Sequence, residues 1–387
     1  FDPFTTSPNS FAGTTETSRR DFITGIYTRA DSTSPEQAGV EVLLNRDEFT
    51  RSWTADTLNW DVRTNGLKAF KWWDFGPLAL KTDASFMYHR RVSGSTISKS
   101  NWSLSSATTR LEYKPGTNRL VYAEALGTYR SDDGAGYDLA FGFQEKRSRL
   151  HLQGSGSLFS RIATIQEMYW ASGSLTGNSN LDNETGFSLQ GSMTYRVGSS
   201  TTVGLEGRYR YSDNQAFITP DSTFINGSGF GTSTTTAFVQ FNSKRWELET
   251  SLVYGASQFP DSLTQTDALN IPGDRLWIRN SVFVKGYVFK RATYIKTGIR
   301  TLISPLSYST RWYDTNTHYW QANSTQQPIP SFIRVDAELS ARIRSIMIVT
   351  RWENILDGVG QAGYFETATF PMMPRRFIVG IRARFIN

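Results

Sequence analysis

Charged residues at alternate positions are the chemistry this chain offers most densely. Arg334, Asp336, Glu338 and Arg342 follow one another near the end of the sequence, and Arg382 and Arg384 repeat the spacing further on. Arg196, Glu206, Arg208 and Arg210 make a similar series in the middle. A period of two places such groups on one face of a strand. A row of charges along a narrow aqueous passage selects among charged solutes, and the same row can also knit neighbouring strands through cross-strand ion pairs. Both roles keep the side chains inward, so all ten are candidate pore-lining residues.

Other chemistries lack their residues. With no cysteine there is no disulfide scaffold, thiolate metal site or cysteine nucleophile. The three histidines, His89, His151 and His318, stand near expected strand ends or in a long loop, and no spacing brings a particular serine to any of them. The carboxylates are too dispersed for a metal site. Gly227–Gly231 is glycine-rich, but no strand-to-helix transition follows it, so it is expected to be a flexible outer loop tip and not a phosphate loop. The expectation is a non-enzyme with no cofactor. The net charge of +6 is distributed between apolar residues along strands, which argues against nucleic acid as a partner.

The elements that must position the charges are strands. From Ile333 to Ala341, Ile333, Val335, Ala337, Leu339 and Ala341 share one face while Arg334, Asp336, Glu338 and Ser340 share the other. From Phe377 to Phe385 apolar residues again alternate with Gly380, Arg382 and Arg384. A soluble sandwich needs a dry inner face, which two arginines would spoil. A barrel with lipid outside and water inside accommodates them, because strands in hydrocarbon must close on themselves to satisfy their backbone. Aromatic residues amount to 14% and glycines number 31, as in an all-β chain with many turns, and no uncharged apolar run is long enough for a transmembrane helix.

Residues 1–20, with two prolines and many hydroxyls, are expected to be a periplasmic lead-in, and residues 21–387 one barrel domain. Candidate strands fall at 22–29, 39–45, 50–60, 67–73 and 78–90. Hairpin partners then follow to the end, with short turns alternating with long links at 161–185, 212–233 and 304–331. That asymmetry fits short periplasmic turns and long outer loops. Counting strands gives about 16 to 18, an even number near 18 being expected, with both termini on one side.

Three stretches resemble TonB-dependent outer-membrane receptors and the related porins of Bacteroidetes-type bacteria. Pro371-Met372-Met373-Pro374-Arg375-Arg376-Phe377, running on to Phe385, is similar to that family's closing strand and the loop before it. Glu353-Asn354-Ile355-Leu356-Asp357 is similar to its Glu-Asn-Leu-x-Asp motif. Gly177-Asn178-Ser179-Asn180-Leu181-Asp182-Asn183-Glu184 is similar to its mid-barrel Gly-Asn-Pro-x-Leu-x-Pro-Glu, with Ser179 and Asn183 in place of proline. The resemblance covers roughly residues 165–387. It implies an integral barrel in the bacterial outer membrane, embedded in lipid, that passes a small solute and draws on a separate plug or a TonB-type energy-coupling partner. No plug or TonB-engaging motif is recognised ahead of Phe22, which leaves a plugless diffusion porin as the alternative. A barrel that merely anchors binding loops is a third reading.

Overall fold

A computed structural model describes residues 15–30, 37–53, 56–94, 96–172, 175–219, 221–258, 274–308, 311–314, 319–322, 329–359, 365–367, 370–371 and 373–383. Seventeen strands form one sheet: β1 (Thr15–Ala30), β2 (Gln37–Trp53), β3 (Asp56–Phe75), β4 (Leu78–Ser93), β5 (Asn101–Gly116), β6 (Arg119–Arg130), β7 (Gly134–Lys146), β8 (Leu150–Arg161), β9 (Glu184–Val197), β10 (Thr201–Asp213), β11 (Phe230–Asn242), β12 (Trp246–Gln258), β13 (Arg275–Val288), β14 (Thr293–Ser304), β15 (Phe332–Ile343), β16 (Ile346–Glu353) and β17 (Arg376–Ala383). Each pairs antiparallel with the next in sequence. One short helix, α1 (Ile165–Tyr169), follows β8.

The side-chain period of two sorts this sheet into a polar and an apolar face. On β17 the apolar residues Phe377, Val379 and Ile381 are 66%, 56% and 73% exposed. On β7 the row Tyr137, Leu139, Phe141 and Phe143 is as open. An outward face of this kind would precipitate in water and is at home in lipid. Exposed aromatics gather near the short turns, as with Phe75, Tyr113, Trp246 and Tyr287, and near the long-loop ends, as with Tyr129, Trp352 and Phe377. Those two levels are the interfaces where a ring finds both apolar and polar surroundings. Among the described residues no helix is long and apolar enough to cross a membrane, so the crossing is made by strands.

Two expectations change here. Residues 50–60 do not form their own strand. β2 and β3 run for 17 and 20 residues, against about 10 needed to cross a bilayer, so their hairpin projects beyond the lipid on the long-loop side. Outside lipid neither face must be apolar, which is why Asn45-Arg46-Asp47 and Asn65-Gly66 imitate turns although they lie inside paired strands. Gly66 has a reason to lack a side chain there, since a Cβ would sit 3.3 Å from Leu43 Cβ. Merging these segments leaves 17 strands among the described residues, within the expected 16 to 18 but not the even number, and β1 and β17 therefore run in the same direction. β1 begins at Thr15, within the stretch expected to lead in, and residues 1–14 lie outside the described ones.

Apart from Trp102, Phe159 and Phe283, the buried apolar side chains of the described residues are not gathered along the wall. They form clusters beneath the long loops. Ala163, Met168, Trp170, Leu175 and Leu181 of the link after β8 pack with Ala216, Ile218 and Phe224 of the link after β10, and with Trp60 of β3. A second cluster holds Tyr308 and Ile329 against Leu302 and Phe332. The tip of the link after β10 is the turn at Thr219–Thr223, whose backbone is closed by mutual hydrogen bonds. Gly227–Gly231 is thus the base of that hairpin and not its tip, with Phe230 buried edge-on against Phe217 at 5.6 Å.

Candidate functional site

The inward face of the last strands carries the charged row read from the sequence, and it is a ladder. Pairing of β14 with β15 sets Arg300 opposite Asp336, and pairing of β15 with β16 sets Glu338 opposite Arg351. Glu338 accepts from Arg300 at 3.3 Å and Arg351 at 3.0 Å; Glu353 accepts from Arg351 at 3.4 Å and Arg376 at 2.6 Å. The ladder therefore crosses β14, β15, β16 and β17 without a break. Arg334 grips Asp336 with both arms at 3.0 Å, and the Asn354 amide donates to the same carboxylate at 2.8 Å. Arg342 lies over the Tyr294 ring. Arg382 faces inward opposite Met347 and has no ion pair among the described residues. Arg384, Phe385 and His318 lie outside them.

The middle series divides in the same way. Arg196, Glu206, Arg208 and Arg210 share the inward face of β9 and β10, while Leu189, Met193, Tyr195 and Leu205 look outward. Glu206 and Arg208 line a recess of about 570 Å³ together with Arg110, Gln144, Gln153 and Gln190. Arg210 instead joins a network that sequence reasoning missed. Glu184, whose side chain is only 5% exposed, accepts from Arg161 at 2.7 Å and Arg210 at 2.9 Å, and Arg161 also reaches Glu167 on α1 at 3.1 Å. Glu167 closes a capping box with Thr164 at the start of α1. The network ties the link after β8 to the inner wall.

That link is held further by Arg130, which donates to the Ala163 carbonyl and pairs with Asp132 at 2.7 Å and Asp133 at 3.0 Å. Burial alone would raise the Asp132 pKa, but hydrogen bonds from Arg130 and Tyr169 outweigh it and hold the carboxyl below its ordinary value. Burial raises Asp133, against the pull of Arg130. Bridges from Ile97 to Trp170 and from Thr176 to Thr223 join three loops into one ordered cap on the β3–β11 side. Other carboxylates the sequence reading passed over do similar work on the wall: Glu112 collects Lys81, Arg110 and Lys114, and Glu247 collects Lys285 and Lys296. Each stands at an alternate position, so the period was visible, but only strand register shows which charges meet.

His89 and His151 have ordinary surroundings. His89 stacks on Trp102 with ring centroids 5.0 Å apart and bonds Thr64, and His151 bonds Gln144. Among the described residues no cluster of metal-ligating groups occurs.

The terminal motifs come together in space. Asn354 donates to the Met373 carbonyl at 3.0 Å, Asp357 accepts from the Arg375 amide at 3.0 Å, and Glu353 binds Arg376. Asn354 has φ 50°, a left-handed conformation that asparagine tolerates better than most residues. The motif at the top of β16 thus clamps the stretch that leads into β17.

A family model described as "Putative porin" matches residues 7–387. No curated protein matches the chain. Solved structures similar to it include the copper transporter OprC, at TM-score 0.73 and 11% identity over 95% of this chain and 65% of that one. The siderophore receptor PirA from Acinetobacter baumannii gives 0.71 and 10% over 96% and 63%. The FrpB iron transporter from Neisseria meningitidis (F3-3 variant) gives 0.68 and 10% over 96% and 63%. At these identities the likeness shows the fold, an outer-membrane receptor-type barrel, and bears out the resemblance seen in the terminal motifs. The chain spans 63–65% of the length of these structures.

Proposed function

The chain belongs to the porin family whose model it matches, and from that premise we propose that it is an outer-membrane channel through which small polar solutes diffuse down their gradient. The observation that carries this reading is the inner wall. Its face is polar and ionised along β4 to β17, and two of its recesses, of about 490 and 570 Å³, are lined by arginine, glutamate and threonine, with glutamine in the larger. Such a surface is stable only against water, and barrels of about 16–18 strands are wide enough to keep an aqueous passage, whereas 22-stranded transporters are filled by a plug.

The ladder also bears on selectivity. Asp336, Glu338 and Glu353 are each taken up by arginines, whereas among the described residues Arg382 and Arg208 form no ion pair, Glu206 beside Arg208 being likewise unpaired. The free cations make the passage mildly favourable to anions. Receptor-type uptake, with a plug and a TonB-type partner, is the second reading, and the barrel likeness favours it. Liposome swelling separates the two. In vesicles holding the purified chain with no energy source, neutral sugars of graded size enter at rates that fall with size if the barrel is a diffusion channel. Absence of entry, with the fold intact, overturns the proposal.

A further inference from the structure

At the long-loop end the inner face of the wall carries an apolar patch. Trp102 on β5 and Phe159 on β8 share the inward phase of Arg110 and Ser157, yet they are only 9% and 8% exposed. Leu104 and Leu126 stand beside them. On a surface that faces water such side chains need a cover. The segment Ile162–Ile165, which leads from β8 into α1, supplies it.

Inward-facing side chains hold that segment in place. Arg130 donates to the Ala163 carbonyl, and Arg161 reaches Glu167 at 3.1 Å. Met168 and Trp170, which follow, are fixed in the buried cluster shared with the link after β10. The segment does not lie flat on the wall. Between the two remains a recess of about 530 Å³, lined by Leu104, Leu126, Asp138, Ser157, Ser188 and Arg208, one inward residue from each of β5 to β10. A segment that stands off the inner wall by the depth of such a recess takes up room in the passage. It leans across six of the seventeen strands.

We propose that Ile162–Glu167 is the constriction of the passage: the loop after β8 folds into the mouth of the barrel and sets the size of the largest solute that enters. The inference deepens the channel reading and rests on it.

Strand register makes a clean test possible. Arg161 and Glu184 lie directly opposite each other, so a turn of about four residues can replace residues 162–183 without shifting β8 against β9. In planar bilayers the shortened chain should conduct about half as much again as the native chain, because the segment removed spans about a third of the wall. In liposome swelling, entry of the tetrasaccharide stachyose relative to arabinose should rise. If the shortened chain loses its heat-resistant fold, Met168→Asp takes its place with the same direction expected, since it puts a charge into the buried cluster that seats the loop and leaves every wall residue as it is. A native chain that conducts, beside a variant with the same conductance and the same sugar ratio, overturns the constriction alone. A silent native chain beside a conducting variant keeps the constriction, as a closed one, and refutes free diffusion. Silence of both, with their folds intact, overturns the two readings together.

Discussion

Glu184→Gln should release the loop after β8 while leaving the wall intact. In the native chain this carboxylate, 5% exposed, is the shared acceptor of Arg161 and Arg210, whose side chains are each 36% exposed. Removing one partner of a fully buried ion pair costs about 3–5 kcal/mol because the remaining charge is stranded. Here water reaches both arginines, and Arg161 retains Glu167 at 3.1 Å, so screening reduces the loss to about 2 kcal/mol. At about 1.4 kcal/mol per factor of ten, loop opening becomes roughly thirtyfold more frequent. Hydrogen exchange reads this directly. The amides of Met168, Trp170, Gly177 and Asn178, which bond carbonyls within residues 164–170, should exchange about thirtyfold faster, with β9 and β10 unchanged. Unchanged loop amides, or equal acceleration in the wall strands, would refute the assignment of Glu184 as a loop anchor.

Three further expectations concern the faces and the loop charges. Cysteine at Gln190 should react readily with a water-soluble thiol reagent and cysteine at Leu189 poorly, because Leu189, 54% exposed, faces lipid; the opposite order would reverse the face assignment. Val379→Arg puts a cation on the lipid face and should cost about 2–4 kcal/mol if it sits near the midplane, seen as less heat-resistant barrel. For the loop, Asp132 is held below its ordinary value, so its stabilisation is present above about pH 4 and is lost as pH falls through the folded-state value. Asp133 is held high, so its ionised form costs stability that acidification relieves. Opening of the loop, read as amide exchange divided by its intrinsic rate at each pH, should therefore rise in acid through Asp132, Asp132→Asn should flatten that rise, and Asp133→Asn should raise protection at neutral pH.

The barrel was legible because charged residues hold one face of a period of two and apolar residues the other, which suits water inside and lipid outside better than a dry soluble core. Ile333–Ala341 declared both faces of β15 without any knowledge of its neighbours. Where lipid stops, the pattern stops too: β2 and β3 extend beyond it, and their polar interruptions imitated turns. The inward charges were legible as a row but not as a circuit. Glu338 meets Arg300 and Arg351 only because three strands align in register, and such pairing is a property of strand order and not of local sequence. The loop network around Glu184 was harder still. Glu184 lay in a noted motif, but its partners Arg161 and Arg210 come from β8 and β10, and Arg161 in turn meets Glu167 of α1, brought near when apolar residues such as Met168 and Phe224 bury each other.

Whether the barrel encloses an ion-conducting aqueous passage is decided by inserting the purified chain into a planar bilayer: stepwise, ohmic conductance is expected, with a reversal potential on the anion side in a salt gradient, moved toward cations by Arg382→Ser and most clearly at low ionic strength. A folded, inserted chain that never conducts would contradict it.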